Sequence, residues 1–370
     1  MNVVLVSGTF PPRRCGVGDY TACLAGALIQ KACRIRVVTG GGAAARADGV
    51  PAATVSATWA RRDAASWLRA LASCEPDVIH FQYPTAAYGR GGAATALLPL
   101  AAQRLPRARR VLTLHEYGVL RPWGRWRLRG MIRAADRVIC TTEVDARLVR
   151  RDHPDRIGRI AVIPLGSNLE PPGAVQEREP LAAVPARLVH FGTVMPNKGW
   201  THLLALLVRL RRRRPDVELL AVGELNPAGF GFHARVAAEI RKRDLADVVR
   251  FTGFLPPREA RRRLRSGSGV ALAPYADGVR LNRGSFIALL RLGLAVAATP
   301  PRVDVAPVVP GRDFAILPRD PIQGAAVVER LLDDPGHRTR LQDAARWAGE
   351  TFAWNRIADH VRRIYAGTAS

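Results

Sequence analysis

Between Val270 and Thr299 an apolar run, a polar loop and a second apolar segment bring Asp277, Gly278, Asn282, Arg283, Gly284 and Ser285 together, just before a helical pattern opens at about Gly284. The first turn of a helix carries unpaired N–H groups and the positive end of the helix dipole, so it is a ready anion site. Gly284 lets an anion come close to the backbone. Ser285 adds a hydroxyl donor and Arg283 a fixed charge. The chemistry on offer is the holding of a diphosphate. Lys198 ends the segment Gly192-Thr193-Val194-Met195-Pro196-Asn197-Lys198, again just before a helical pattern, where a lysine pairs with a diphosphate as a point charge. Glu224, after Val222-Gly223, either meets a ribose hydroxyl or caps a helix.

The first half of the chain holds a second set. Its opening loop, Gly8 to Thr21, contains Gly16 and Gly18, which expose backbone N–H groups, and Asp19 and Tyr20, which can meet hydroxyls. It lacks the GxGxxG pattern of dinucleotide enzymes and has no acidic residue in the right place after the second strand. His80 and Gln82 alternate with apolar neighbours in VIHFQY, so they share one strand face. They are candidates for hydroxyl binding or for satisfied core polar groups. His115 and Glu116 end the run LTLHE, where such a pair binds sugar hydroxyls or steers a proton.

Elements that position these residues follow from the apolar pattern. Short apolar runs alternate with longer helical patterns, which predicts parallel sheets covered by helices on both faces. Strands are expected near 3–7, 35–39, 78–81, 111–114, 138–141 and 161–163, with helices such as 18–31 and 63–74 between them. The segment Glu170 to Pro185 lacks apolar periodicity and reads as a linker. The alternation then restarts, with strands near 188–191, 218–222, 249–252, 270–273, 295–298 and 315–317 and helices at 200–213, 233–243, 257–265, 322–332 and 338–351. A last amphipathic helix, 353–365, gathers Trp354, Ile357, Val361 and Ile364 on one side. The expected divisions are residues 1–169, a linker over 170–186, a second domain over 187–351 and the closing helix over 352–370. Ligands in such sheets bind beyond the carboxyl ends of the strands, and with two facing halves the natural place is the cleft between them.

Composition sets outer bounds. The chain has 370 residues, with 56 basic against 31 acidic and a net charge of +25. That length suits two cores, and 48% apolar residues fill them. Asn2 to Ser7 reads as a first strand with no basic leader before it, and no apolar run is long enough to span a bilayer, so a cytoplasmic protein is expected. Cys15, Cys23, Cys33, Cys74 and Cys140 form no CxxC pair and read as reduced thiols. The charge predicts polyanionic partners. Part of it is consistent with compositional bias. A peripheral hold on an anionic membrane is the functional reading. Nucleic acid is disfavoured, since the arginines are not interleaved with aromatics and no helix-turn-helix, RNP or zinc-finger signature is present.

Taken in order, PPRRCGVGDYT, VIHFQYP, LTLHE, VIPLGSN, FGTVMPNKG, VELLAVGE, VRFTGFLP and the terminal helix resemble, over nearly the whole chain, a GT-B retaining glycosyltransferase of the family 4-like group (glycosyl transferases group 1). The resemblance implies an α/β fold of two Rossmann-like domains facing across a cleft, with the last helix crossing back to the first. It implies sugar transfer from a nucleotide diphosphate donor, with no metal or other cofactor. Donor contacts would be Gly16, Gly18, Gly192, Thr193, Lys198, Glu224, Asp277, Arg283, Gly284 and Ser285. Acceptor contacts would be Asp19, Tyr20, His80, Gln82, His115 and Glu116, with His115, Lys198 and Asp277 in catalysis. The acceptor would be a glycan, a lipid-linked sugar or a small molecule, in a polysaccharide or glycolipid pathway, at the inner face of the membrane. Departures are visible: the places of the group's two glutamates hold Arg280 and Ala288, and Thr193 stands where an arginine is usual. The alternatives are a non-catalytic scaffold that binds a nucleotide or a partner transferase, and a sugar-nucleotide epimerase.

Overall fold

The computed structural model describes residues 1–13, 15–40, 49–55, 59–83, 88, 94–169 and 186–368. The chain divides into two compact units. Unit 1 is Met1–Ala174 with Trp354–Ser370, and unit 2 is Val175–Ala353. Residues 170–185 of the expected linker, and Arg14 of the opening loop, lie outside the described residues.

Unit 1 contains strands β1 (Asn2–Ser7), β2 (Arg34–Gly40), β3 (Ala52–Val55), β4 (Val78–Tyr83), β5 (Arg109–Leu114), β6 (Arg137–Cys140) and β7 (Ile160–Val162). Its helices are α1 (Gly16–Gln30), α2 (Ala64–Ala72), α3 (Ala94–Arg104), α4 (Pro122–Ala134) and α5 (Glu143–Asp152). In unit 2 the strands are β8 (Arg187–Phe191), β9 (Glu218–Val222), β10 (Val249–Phe251), β11 (Val270–Ala273), β12 (Ala295–Ala298) and β13 (Ala315–Ile316). They alternate with α6 (Trp200–Arg213), α7 (Gly231–Lys242), α8 (Pro257–Arg265), α9 (Gly284–Arg291), α10 (Pro321–Asp333) and α11 (Pro335–Gly349). The last helix, α12 (Trp354–Ala366), returns to unit 1.

Both sheets are wholly parallel. Unit 1 runs β3-β2-β1-β4-β5-β6-β7 and unit 2 runs β10-β9-β8-β11-β12-β13. Strands covered on both faces need continuous apolar runs rather than alternation. Val3, Val4 and Leu5 in β1 and Val270, Ala271 and Leu272 in β11 accordingly have no exposed surface. Each order reverses next to its first strand, between β1 and β4 and between β8 and β11, which makes those two places the switch points where such sheets take ligands.

Where the boundaries moved, the reasons are local. Helix α1 opens at Gly16 rather than Gly18, because Cys15 is the extended N-cap residue and Asp19 N–H already bonds Cys15 C=O at 2.9 Å. Strand β3 was not expected; it is a four-residue edge strand of Ala, Thr and Val that pairs with β2 alone. The apolar face expected of the last helix is the one buried in α12: Trp354, Ile357, Val361 and Ile364 sit in the core under β1 and against α1, while Asn355, Arg356 and Arg362 are exposed. Among the described residues, all five cysteines are free thiols, and no helix is long and apolar enough to cross a membrane.

Candidate functional site

In unit 2 the loops that leave β8 and β11 are locked together by backbone contact. Lys198 closes a short turn, Pro196–Lys198, and Gly199 follows with φ +74°. A Cβ on Gly199 would stand 1.5 Å from the Pro274 carbonyl oxygen, so only glycine lets this turn lie on the neighbouring loop. Ala276 N–H then donates to Asn197 C=O at 3.1 Å. The register so fixed aims Lys198 at the start of α9, where its Nζ donates to Ser285 Oγ at 2.8 Å. The buried Tyr275 hydroxyl holds the same oxygen from the other side, also at 2.8 Å. Gly192, with φ +132°, leaves the space into which Lys198 reaches; a Cβ there would lie 3.2 Å from Nζ.

Charge in this cluster is unbalanced. Arg283 pairs with Asp277 and stacks 4.4 Å over the Tyr275 ring, and Arg280 reaches the same carboxylate at 3.4 Å. Two guanidinium groups therefore share the carboxylate closest to Lys198. Burial, then the nearby Arg283, lowers the Lys198 ammonium to about 8, with Asp277 opposing only in part. Only three of the 56 basic residues of the chain are lysine, and this is one of them. Between Gly192 and Ser285 it presents a compact ammonium, a point charge rather than a planar fork.

Arg283 is the N-cap residue of α9 and makes no side-chain cap bond. A Cβ on Gly284 would meet nothing within 4 Å, so the backbone here opens into space. Gly192, Lys198, Asp277, Arg283, Gly284 and Ser285 are thus gathered at one switch point, with Tyr275, which sequence reasoning did not single out. Thr193 is exposed on the same loop as Gly192. Glu224 is exposed after β9, and it is not the cap of α7, whose N-cap is Phe230. Ala288 is buried inside α9, and Arg280 binds Asp277.

Unit 1 places a chain of polar groups at its own switch point. The Tyr365 hydroxyl on α12 lies 2.6 Å from His80 Nδ1, and His80 Nε2 lies 2.7 Å from Thr113 Oγ1 and 3.1 Å from Gln82 Nε2. Gln82 Oε1 then meets His115 Nε2 at 3.0 Å. An amide NH₂ can only donate and an amide oxygen can only accept, which settles the protons. His80 Nε2 accepts, His80 Nδ1–H donates to Tyr365, and His115 Nε2–H donates to Gln82. The lone pair of His115 is therefore on Nδ1. Burial drives both imidazoles down to about 3, so His115 is neutral and is a hydrogen-bond acceptor rather than a strong base.

This arrangement corrects part of the acceptor set and, among the expected donor contacts, Gly18. His80 and Gln82 have no exposed surface, and both His80 ring nitrogens are engaged, so they orient His115 from within the core. Tyr20 is buried too, packed edge-on to the His115 ring at 4.9 Å and against Trp354 at 5.2 Å. Gly18 is a packing residue: a Cβ there would stand 3.1 Å from the Thr9 carbonyl oxygen. Gly16 is exposed with open space beside it, Asp19 is half-buried with its carboxyl pushed up to about 6 by burial, and Glu116 is exposed. Thr113 and Tyr365 complete the chain and were not foreseen. Their signals were a polar residue inside the apolar run VLTL and a tyrosine on the buried face of the last helix.

Models of known protein families match along both halves of the chain. A model described as Glycosyltransferase Family 4 matches residues 15–171, and one described as Glycosyl transferases group 1 matches residues 185–334. The chain is 28% identical over 261 residues to D-inositol 3-phosphate glycosyltransferase of Nocardiopsis dassonvillei, covering 65% of this chain and 58% of that protein. It is 30% identical over 213 residues to MMP alpha-(1->4)-mannosyltransferase of Mycolicibacterium hassiacum, covering 56% and 48%. The matched part thus spans about half the length of these curated relatives. In fold it is similar to Anabaena HepE in complex with UDP and glucose, with TM-score 0.74 and 16% identity over 99% of this chain and 100% of that one. With one glycosyltransferase model matching unit 1 and another matching unit 2, on two parallel sheets of GT-B type, the chain belongs to the glycosyltransferase family that these models describe.

Proposed function

We propose that this protein is a retaining glycosyltransferase that moves a sugar from a nucleoside-diphosphate sugar to a glycan, lipid-linked or small-molecule acceptor, at the cytoplasmic face of an anionic membrane. The observation that carries the reading is the Lys198–Ser285–Tyr275 cluster beside Arg283 and the open backbone of Gly284. It offers a lysine, an arginine, a hydroxyl and first-turn N–H groups to one anion, which is what a departing diphosphate requires. In the reaction proposed, the bond from the anomeric carbon to the phosphate oxygen breaks and a bond to the acceptor oxygen forms on the same face. The acceptor proton passes to the leaving diphosphate. Lys198 and Arg283 neutralise the charge that develops, so no metal cofactor is invoked. Asp277 holds Arg283 and Arg280 in place. In unit 1, the Nδ1 lone pair of His115 accepts from an acceptor hydroxyl, and Asp19 and Glu116 are further hydroxyl partners.

The test is calorimetric titration with UDP-, GDP-, ADP-, CMP- and dTDP-sugars in the presence of EDTA, followed by NMR of the anomeric configuration released on slow donor hydrolysis. UDP-sugars come first because the similar HepE structure holds UDP and glucose. Selective binding of one nucleotide with retention at the anomeric carbon supports the reading. Binding to none, or binding only with added divalent metal, overturns it. Binding without any turnover of donor, even with acceptor extracts, favours the scaffold alternative, for which the absent glutamate pair at Arg280 and Ala288 is the motive.

A further inference from the structure

Helix α4 carries a face that neither constellation uses. Its inner side is ordinary: Leu128, Met131 and Ile132 are buried, and the helix packs on α3. Its outer side opens with Trp123, 66% exposed, and Trp126, 62% exposed, and Val119 in the turn before is 67% exposed. Of the other five tryptophans Trp59, Trp67, Trp200 and Trp354 are buried, and Trp347, 71% exposed on α11, stands without a second indole beside it in the helix. Positions 123, 126, 130 and 133 follow helical spacing, so the tryptophans share a stripe with Arg133, and Arg129 flanks it. Arg121, Arg129 and Arg133 are exposed, and the Arg127 guanidinium stacks 4.8 Å over the Trp123 ring. No acidic residue occurs between Arg121 and Ala134.

Exposed arginines with no carboxylate among them call for an anionic surface, and open water gains nothing from two neighbouring indoles. A bilayer surface accepts both. Indoles prefer the headgroup region, where a flat apolar ring and one polar N–H are each satisfied, and arginines beside them meet lipid phosphates. We propose that α4 is the surface by which this protein docks on an anionic bilayer. Trp123 and Trp126 enter the headgroup region with Val119, and Arg121, Arg129 and Arg133 lie on the phosphates. The inference rests on the reading of a membrane-presented acceptor and gives that reading an address. Helix α4 belongs to the connection that leaves β5, as do His115 and Glu116, so docking by this helix brings the acceptor-side residues to the lipid.

The experiment uses the full chain with sedimentable vesicles, either phosphatidylcholine alone or phosphatidylcholine mixed with phosphatidylglycerol. Wild type is compared with Trp123→Ser/Trp126→Ser and with Arg129→Glu/Arg133→Glu. These side chains are exposed, so the variants should keep the wild-type thermal midpoint. Wild type should bind the mixed vesicles and not phosphatidylcholine alone, with a blue shift of tryptophan emission. Each double variant should lose about tenfold or more of the partition coefficient. Wild-type vesicle binding by both variants overturns α4 as the docking surface and leaves the membrane reading standing. Failure of wild type to bind any vesicle overturns both. A wild-type dimer in light scattering that the tryptophan variant abolishes, with no vesicle binding, assigns the face to a second copy and refutes the proposal.

Discussion

Lys198→Ala removes one positive charge from a place that holds it at an electrostatic loss. In the free protein the ammonium is desolvated and faces Arg283, and the pull of Asp277 offsets this only in part. Its hydrogen-bond partner Ser285 keeps the Tyr275 hydroxyl 2.8 Å away when the lysine is gone. The free fold should therefore not be destabilised, and relief of the repulsion should hold or raise its thermal midpoint. A bound diphosphate reverses the balance. Two unit charges 4 Å apart at an effective dielectric constant of 20 interact by about 4 kcal/mol, which sets an upper bound near 1000-fold. Loss of one preorganised charge-stabilising group usually costs upwards of about 100-fold, so the fall expected in nucleoside-diphosphate affinity and in donor turnover lies between these two figures. Titration calorimetry reads the affinity, donor hydrolysis reads the turnover, and differential scanning fluorimetry reads the fold. Affinity and turnover near those of wild type, in a variant with an unchanged midpoint, would refute the assignment of this lysine to the phosphates. A midpoint lowered by many degrees would refute the claim that the free site bears the charge at a loss.

The pH dependence follows from the same group. With its ammonium near 8, Lys198 should lose its charge as pH rises from 7 to 9, so nucleoside-diphosphate affinity should fall across that window with proton uptake on binding, visible as buffer-dependent heats. The stability of the free protein should move the other way. Between about 8 and the ordinary lysine value near 10.5 the unfolded chain binds more protons than the native one, so this group's contribution to stability rises with pH there. Two glycines separate fold from ligand. Gly284→Ala meets open space at a helix start, so the midpoint should hold while diphosphate affinity drops. In Gly199→Ala a φ of +74° and the Pro274 carbonyl both oppose the methyl, so thermal melts should show destabilisation of more than about 1–2 kcal/mol, the left-handed penalty alone. Equal midpoints for these two variants would contradict the geometry. Tyr365→Phe should cost about 1–3 kcal/mol in denaturant melts, because it leaves His80 Nδ1 buried without a partner.

Much of this was legible in the sequence for a physical reason. Parallel strands buried on both faces leave dense apolar runs, and the residues just past their carboxyl ends can be named by counting. Lys198, Asp277, Arg283, Gly284 and Ser285 are reached that way, on the loops and first helical turn that follow β8 and β11. What counting does not give is depth. His80 and Gln82 lie on the same strand face as expected, yet the face is sealed, because the last helix lays Tyr365 over it. Gly16 and Gly18 look alike in a string of letters, but one opens into space and the other is pressed against Thr9. Tyr275 went unnoticed because an aromatic directly after a strand is usually core, and here it is core and site at once. Counting likewise does not give which face of α4 meets water, since that depends on where α3 packs.

The return of α12 has a consequence for how the chain is made. Every residue of unit 2 is interposed between β7 and the helix that finishes unit 1. On the ribosome the seven strands of the first sheet emerge early, yet their core still lacks Trp354, Ile357, Val361, Ile364 and Tyr365. The later-born unit can complete its fold while the earlier one waits, its α1 face uncovered and His80 Nδ1 without its tyrosine. Gly166, where even a methyl would collide with the Trp354 indole, stands as a vacant socket until the last helix arrives. Synthesis order and folding order are thus inverted, and the interval between them is when a chaperone has apolar surface to hold.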